Sequence, residues 1–185
     1  MSSNPINSTT NNAFSLYDEY AFNILRQMEA KHFWYKGRYR FLNYIFNKLV
    51  FRHSLDNLSI LDLGGGCGGW IQYLLVHNHN LKSCCIGVAD GSHKCLDVAK
   101  ESLASQHNIN FYLLNILELQ KYEDWKNKWD VVFLLDVLEH LEHDEYVLQQ
   151  IRTILKPQGI LFITTPAFQH LWSYNDELAG HKRRY

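Results

Sequence analysis

Apolar residues recur with two different rhythms along this chain, and the change from one to the other divides it. Over residues 14–30, Leu16, Tyr20, Ile24, Leu25 and Met28 fall at helical spacing. Phe41, Leu42, Ile45, Phe46, Leu49 and Val50 continue that rhythm and predict a second helix with these residues as its buried stripe. Between the two lies an aromatic-basic stretch, His32-Phe33-Trp34-Tyr35-Lys36-Gly37-Arg38-Tyr39-Arg40. From Ser59 onward, short apolar runs alternate with amphipathic stretches. Ile60 to Leu63, Cys84 to Ala89, Phe111 to Leu114, Asp130 to Leu135 and Ile160 to Thr164 predict strands. Helices are predicted from about Gly69 (Trp70, Ile71, Leu74, Leu75), after the second strand (Cys95, Leu96, Ala99, Leu103) and near Asp144 (Val147, Ile151, Leu155), with Pro157-Gln158-Gly159 as a turn.

Strands that are apolar at nearly every position must be covered on both faces, which argues for a parallel sheet. Right-handed crossovers then make a Rossmann-like, doubly wound α/β fold whose ligand crevice lies at the carboxyl ends of the strands. The organisation expected is a Ser/Asn/Thr-rich disordered tail over 1–13, a helical cap over 14–55 and the α/β core over 56–185.

At 185 residues the chain suits one domain. A formal net charge of -1 gives no basic field for nucleic acid or an anionic membrane surface. No stretch approaches the roughly 18–20 apolar residues that cross a bilayer, and the N-terminus lacks the features of a secretory signal. A soluble cytoplasmic protein without membrane insertion is expected. Cys67, Cys84, Cys85 and Cys95 form no C-x-x-C pair, and the adjacent Cys84 and Cys85 would face opposite ways in a strand, so buried, reduced thiols are expected rather than disulfides or zinc.

The strongest chemical signal is the turn Asp62-Leu63-Gly64-Gly65-Gly66-Cys67-Gly68. Glycines directly after a buried strand admit positive φ and close approach of backbone to a ligand, and the next helix turns its dipole toward that ligand. Two cofactor classes fit. Gly64, Gly66 and Gly69 match G-x-G-x-x-G, with Asp90 placed as a ribose-binding acid would be in a nicotinamide oxidoreductase. Asp62 separates the two: an acid at the strand end suits the positive side of a sulfonium cofactor, whereas a surface-facing strand acid is its plain alternative.

The same turn resembles the D-x-G-x-G-x-G turn of class I S-adenosylmethionine-dependent methyltransferases, and the resemblance runs from His32 to Tyr185. Ile86-Gly87-Val88-Ala89-Asp90-Gly91-Ser92 is similar to the family's second-strand segment, Leu114-Asn115-Ile116 to its adenine contact with Asn in place of an acid, Trp129 to Leu141 to its fourth strand and D-V-L-E-H loop, and Leu155-Lys156-Pro157-Gln158-Gly159 to its turn before the fifth strand. The resemblance implies S-adenosyl-L-methionine as cofactor, held by Asp62, Gly64, Gly65, Gly66, Gly68, Asp90, Gly91, Asn115, Ile116 and Asp136. Asp90 would hold the ribose hydroxyls, since a carboxylate accepts two such bonds; capping of the next helix is the other role for it, one that Ser92 can fill. The implied activity is methyl transfer to a small molecule, at oxygen, with no action on nucleic acid.

His140, after the fourth strand, is the candidate catalytic base. In some quinone-precursor O-methyltransferases a patch similar to Asp136-x-x-Glu139-His140 binds a divalent metal; the reading adopted instead is no metal, with Asp136 near the cofactor and Glu139 and His140 orienting the loop. The ending L-W-S-x-x-D and G-H-x-R-R-Y, with the H-F-W-Y-x-G-R-x-R start, resembles a subgroup of the family. It implies a substrate side of Trp172, Asp176, His181 and Arg183, with Arg38 anchoring a carboxylate or phosphate. The alternative is a packed lid in which Asp176 pairs His181 or Arg183, and Arg38 and Arg40 form a solvated helix face. The family has seven strands and this chain supplies five, so a fragment or shortened core is expected, cofactor binding without catalysis is the competing function, and the fifth strand is an exposed edge open to self-association.

Overall fold

The computed structural model describes residues 32–50, 57–106 and 108–185. The expected tail over 1–13 and helix over 14–30 lie outside the described residues. The aromatic-basic stretch, read from the sequence as lying between two helices, is itself helical from Phe33 and forms the first half of one long helix, α1 (Phe33–Val50). Its charged and aromatic residues interrupt the apolar rhythm without breaking the helix, because none of them is proline and a single glycine is tolerated.

The remaining elements are β1 (Ser59–Leu63), α2 (Gly69–His77), β2 (Cys85–Asp90), α3 (His93–Ser102), β3 (Ile109–Leu113), β4 (Trp129–Leu135), α4 (Asp144–Ile154), β5 (Leu155–Thr164) and α5 (Tyr174–Leu178). The five strands form one sheet in the order β3-β2-β1-β4-β5, with every neighbouring pair parallel. β5 begins earlier than expected, at Leu155 rather than Ile160, with a register irregularity opposite Trp129 and Val131. Gln158 reaches a positive φ of 68° inside it, so the Pro157-Gln158-Gly159 turn survives as a kink within the strand.

Alternation along the strands sends side chains into two cores. Ile60, Ile86, Val88, Val131, Phe133 and Phe162 meet α1, α2 and α3 on one face. Leu61, Leu63, Ala89, Val132 and Leu134 meet α4 and the short helical turns around Leu119 and Trp125 on the other. Gly87 makes room for this second core, since a Cβ there would stand 2.8 Å from the Trp129 ring and 2.9 Å from Leu61. The face of α1 that enters the core is Tyr39, Leu42, Phe46 and Val50; Phe41 and Leu49, expected inside, are 65% and 44% exposed. The stripe is narrower than the pattern suggested because a single sheet face receives it. The four cysteines form no disulfide, as expected, and Cys84 and Cys85 do face opposite ways, but Cys85 is exposed rather than buried.

Phe46 shows how firmly α1 belongs to the molecule. Its fully buried ring lies 6.0 Å from that of Phe133 and 6.2 Å from that of Phe162. Phe46→Ala is expected to lower the unfolding free energy by about 3–5 kcal/mol. Urea unfolding followed by circular dichroism measures this, and a change within about 0.5 kcal/mol, the range of an ordinary surface substitution, would mean that α1 contributes no core contacts.

Candidate functional site

The chain leaves β1 toward β2 and later returns to β4 on the opposite side of β1, so the loops after β1 and β4 part company at the carboxyl edge of the sheet. Such a reversal opens a crevice in a doubly wound fold. The glycine turn occupies it. Gly64, Gly66 and Gly68 hold φ values of 78°, 53° and 79°, and the Gly64 and Gly65 amides donate to the Ala89 carbonyl at 2.8 and 3.0 Å, pinning the turn to the end of β2. A Cβ on Gly64 would collide with Val137, and one on Gly65 would lie 2.9 Å from Asp62 Oδ2, so the turn is packed from beneath by a buried carboxylate. This excludes the surface-facing alternative for Asp62. At Gly66 a Cβ would meet nothing within 4 Å. There the bend faces open space.

Asp90 closes the other side of that space. Its Oδ2 accepts the Gly66 amide at 2.9 Å and its Oδ1 accepts the Ser92 amide at 2.8 Å. Burial raises its carboxyl above the ordinary Asp range, against the opposing pull of the Ser92, Gly66 and Gly91 amides. Ser92, not Asp90, caps α3, accepting the Cys95 amide at 3.3 Å. Nearby, the Cys67 thiol and then burial push the Cys95 thiol far up, so it is not a nucleophile. A Cβ on Gly91 would face only the Leu114 carbonyl, at 3.6 Å, and Asn115 and Ile116 follow β3 on this edge. Asn115 Oδ1 already accepts the Leu117 amide at 3.0 Å, capping its own helical turn, so a ligand amine would use its second lone pair.

Asp136 follows β4 with a positive φ of 54°, an unusual conformation for a residue other than glycine. Three contacts hold it: its amide donates to the Thr164 carbonyl at 2.9 Å, its Oδ1 accepts the Thr164 hydroxyl at 2.8 Å, and its Oδ2 pairs with Arg38. Arg38 reaches this partner from α1 with its side chain mostly buried and its guanidinium over the rings of Tyr35 and Tyr39, so the solvated-face alternative does not describe it. Arg38 Nε is buried without a hydrogen-bond partner. Lys36 and Arg40, on a different phase of the helix, instead line an outward groove of about 670 Å³ beside Tyr73 and His77.

The C-terminal segment docks on the loop after β4. The Lys182 amide donates to the Glu139 carbonyl, and Arg183 pairs with Asp144 at 3.1 Å and donates to the Glu142 carbonyl. Asp176, expected on the substrate side, is fully buried instead and saturated by neighbours: Arg184 through two nitrogens at 2.7 Å each, the Ser173 amide and hydroxyl, and His181 Nδ1 at 2.9 Å. Arg184 above all, then His181 and Ser173, holds its carboxyl well below the ordinary range. This is the lid arrangement, with Arg184 in the place the sequence reading gave to Arg183. Arg183 likewise faces protein partners, and half-buried Trp172 donates to Glu177 at 3.4 Å.

One cluster does gather at the rim. A ligand atom from each of Glu139, His140 and His181 lies within 4.8 Å of the others, and the two imidazoles meet edge to face at 4.8 Å. Burial raises the Glu139 carboxyl, while burial and then His181 hold His140 below its ordinary value. Sequence reasoning paired Glu139 and His140 with Asp136; the structure commits Asp136 to Arg38 and brings His181 instead. It also missed Thr164 and Arg184, for which the adjacent arginines of R-R-Y were the one available signal.

A family model described as a methyltransferase domain matches residues 61–161. The ubiquinone biosynthesis O-methyltransferase of Rickettsia bellii (strain OSU 85-389) is 33% identical over 128 residues, 67% of this chain and 49% of that protein. The chain thus spans about half the length of the curated relatives it matches. Among solved structures, the CMeT domain of the citrinin polyketide synthase superposes with a TM-score of 0.73 at 19% identity, covering 82% of this chain and 41% of that one. Phosphoethanolamine N-methyltransferase 2 of Haemonchus contortus, solved with S-adenosyl-L-methionine, gives 0.70 at 18% identity, covering 93% and 40%. At these identities the structural likeness concerns the fold alone.

The two kinds of glycine in the turn should separate by measurement. Gly64→Ala must push Val137 aside at a positive φ and is expected to lower both the melting temperature and the affinity for S-adenosylmethionine. Gly66→Ala meets no protein atom, so it should retain the fold at a strain cost of roughly 1–2 kcal/mol and lose cofactor affinity; equal affinity in Gly66→Ala and wild type, by calorimetry, would mean the ligand does not sit against this bend. Asp90 adds a pH dependence. With its carboxyl raised, it takes up a proton above the free value of about 3.9 and loses acceptor capacity. Affinity should therefore fall as pH drops toward that value, while Asp90→Asn binds weakly with no such slope.

Proposed function

Because the chain belongs to the class I S-adenosylmethionine-dependent methyltransferases, we propose that it binds S-adenosylmethionine along the carboxyl ends of β1 to β4 and moves its methyl group to an oxygen of a small-molecule acceptor. The observation that carries this reading is the open bend at Gly66 faced by the Asp90 carboxylate. A nucleoside laid there has ribose hydroxyls within reach of Asp90, whose oxygens keep lone pairs beyond the two amide bonds. Its base falls beside Gly91, Asn115 and Ile116, and its charged sulfur end falls toward Asp62 and Asp136. A nicotinamide dinucleotide, the other ligand the glycine spacing admits, is not a cofactor of this family.

Transfer is a displacement at the methyl carbon: an acceptor lone pair forms the new bond as the carbon–sulfur bond breaks, and the electron pair leaves on a neutral thioether. Alignment and water exclusion supply much of the rate. A hydroxyl acceptor must also lose its proton, and the cluster of His140, His181 and Glu139 stands at the rim where that loss would occur. The assignment to oxygen draws on the relatives named as ubiquinone biosynthesis O-methyltransferases.

Calorimetry with S-adenosylmethionine, paired with S-adenosylhomocysteine release over a panel of hydroxyl, amine and carbon acceptors, tests the proposal. Turnover is expected with hydroxylated acceptors, and His140→Ala should cut it by about 100-fold or more with cofactor affinity unchanged. Turnover confined to amines or carbon acids would overturn the oxygen assignment. Absence of cofactor binding would overturn the whole reading.

A further inference from the structure

We propose that Cys67 and Cys95 are a redox-sensitive thiol pair, whose disulfide, made by a peroxide-class oxidant, draws the glycine bend against α3 and weakens cofactor binding. The pair stands on its own geometry; its effect on affinity rests on S-adenosylmethionine occupying the bend.

Two thiols distant in sequence meet at the carboxyl edge of the sheet. Cys67 lies inside the bend, between Gly66 and Gly68, and Cys95 lies in the first turn of α3. Cys95, Ala99 and Leu103 follow at four-residue spacing and so share one face of that helix. This face packs on the bend: a Cβ on Gly68 would stand 3.0 Å from Leu103 and 3.2 Å from Ala99. Cys95 continues the face by one turn, and its thiol hydrogen-bonds the Cys67 sulfur. A disulfide then asks for closure from that contact to a bond of about 2.0 Å. Cys84 and Cys85 stand at the other end of β2 and take no part.

Both thiols are buried, Cys67 to 3% exposure and Cys95 to 8%, so only a small oxidant reaches them. Cys67 lines the outward groove of about 670 Å³ and is the sulfur that meets it. The Cys67 thiol gives its proton to solvent, and its sulfur takes one oxygen from hydrogen peroxide as the O–O bond breaks; the hydroxide released leaves as water. The Cys95 sulfur then bonds to that of the sulfenic acid, the S–O bond breaks, and the Cys95 proton departs with the hydroxide as a second water. Two thiols are oxidised to one disulfide, and one peroxide is reduced to two waters. In the reduced protein the Cys67 sulfur is the main hold on the Cys95 proton. That hold ends once the sulfur carries oxygen, which is when Cys95 becomes reactive.

The cross-link acts on the backbone that fixes Asp90. The Gly66 amide, one residue before Cys67, donates to Asp90 Oδ2. The Ser92 amide donates to Oδ1, and the Ser92 hydroxyl accepts the Cys95 amide. Drawing Cys67 toward α3 turns the Gly66 amide out of line with the carboxylate, and hydrogen bonds weaken steeply with misalignment. By linkage, a cofactor that prefers the reduced protein protects the thiols by the same factor.

The test uses the full chain, reduced, freed of reductant and exposed to hydrogen peroxide. Peptide mapping by mass spectrometry reads the cross-link without cofactor, and calorimetry then reads affinity for S-adenosylmethionine. Expected are a Cys67–Cys95 linked peptide and an affinity about tenfold weaker, restored by dithiothreitol. Cys85→Ser should form the same link and Cys95→Ala should form none, while Cys67→Ala keeps one affinity before and after peroxide. Saturating S-adenosylmethionine should raise the reduction potential of the wild-type pair by about 30 mV, the equivalent of tenfold. Peroxide-treated wild type without the linked peptide, or with it at unchanged affinity, overturns the proposal. Should Cys67→Ala fail to fold, the wild-type potential decides, and no shift with cofactor overturns the control of affinity. Absence of cofactor binding by the reduced protein overturns the methyltransferase reading and that control together, while the thiol pair still stands or falls on the peptide map.

Discussion

The contact between Gly64 and Val137 is the constraint on which the site depends. Two loops leave neighbouring strands on opposite sides of the sheet, and they approach closely because one carries no side chain and the other fills the vacancy. Val137 reaches that position only because Asp136 turns the chain through a left-handed conformation, and Asp136 keeps it because Thr164 and Arg38 hold both ends of its carboxylate. Elements as distant as α1 and β5 therefore meet in one residue beside the glycine bend. The strain of an L residue at positive φ is offset by these bonds, a pattern typical of functional turns.

What local chemistry writes into a sequence was readable. Runs such as Asp130 to Leu135 mark a strand covered on both faces, and the glycine spacing after Leu63 marks the bend at the carboxyl edge of the sheet. The errors fall where the deciding partner is distant. Arg38 looked equally like a ligand anchor or a solvent-facing charge, because nothing near it in the chain reveals Asp136. Asp176 looked like a substrate contact because a buried acid and a pocket acid have the same letter; only its five protein bonds tell them apart. Adjacent arginines at 183 and 184 alternate sides of an extended segment, so which of them faces inward is settled by docking and not by spacing.

Known proteins that this chain is similar to are named for methylation at oxygen, at nitrogen and at carbon. A displacement reaction accounts for that spread. The cofactor brings both the group and the driving force, so the half of the site that must be conserved in shape is the half that grips the nucleoside, while the acceptor half is free to differ. Here the loop after β4 and the C-terminal segment bring histidines and a carboxylate together beside that crevice.

That segment closes on itself. The Phe168 amide donates to the Tyr185 carbonyl at 2.6 Å, and the Tyr185 amide returns a bond to the Pro166 carbonyl at 3.0 Å. Two reciprocal backbone bonds thus join the residues just after β5 to those around Tyr185 and close residues 166–185 into a ring, so moving that ring away from the loop after β4 would break its contacts as a group.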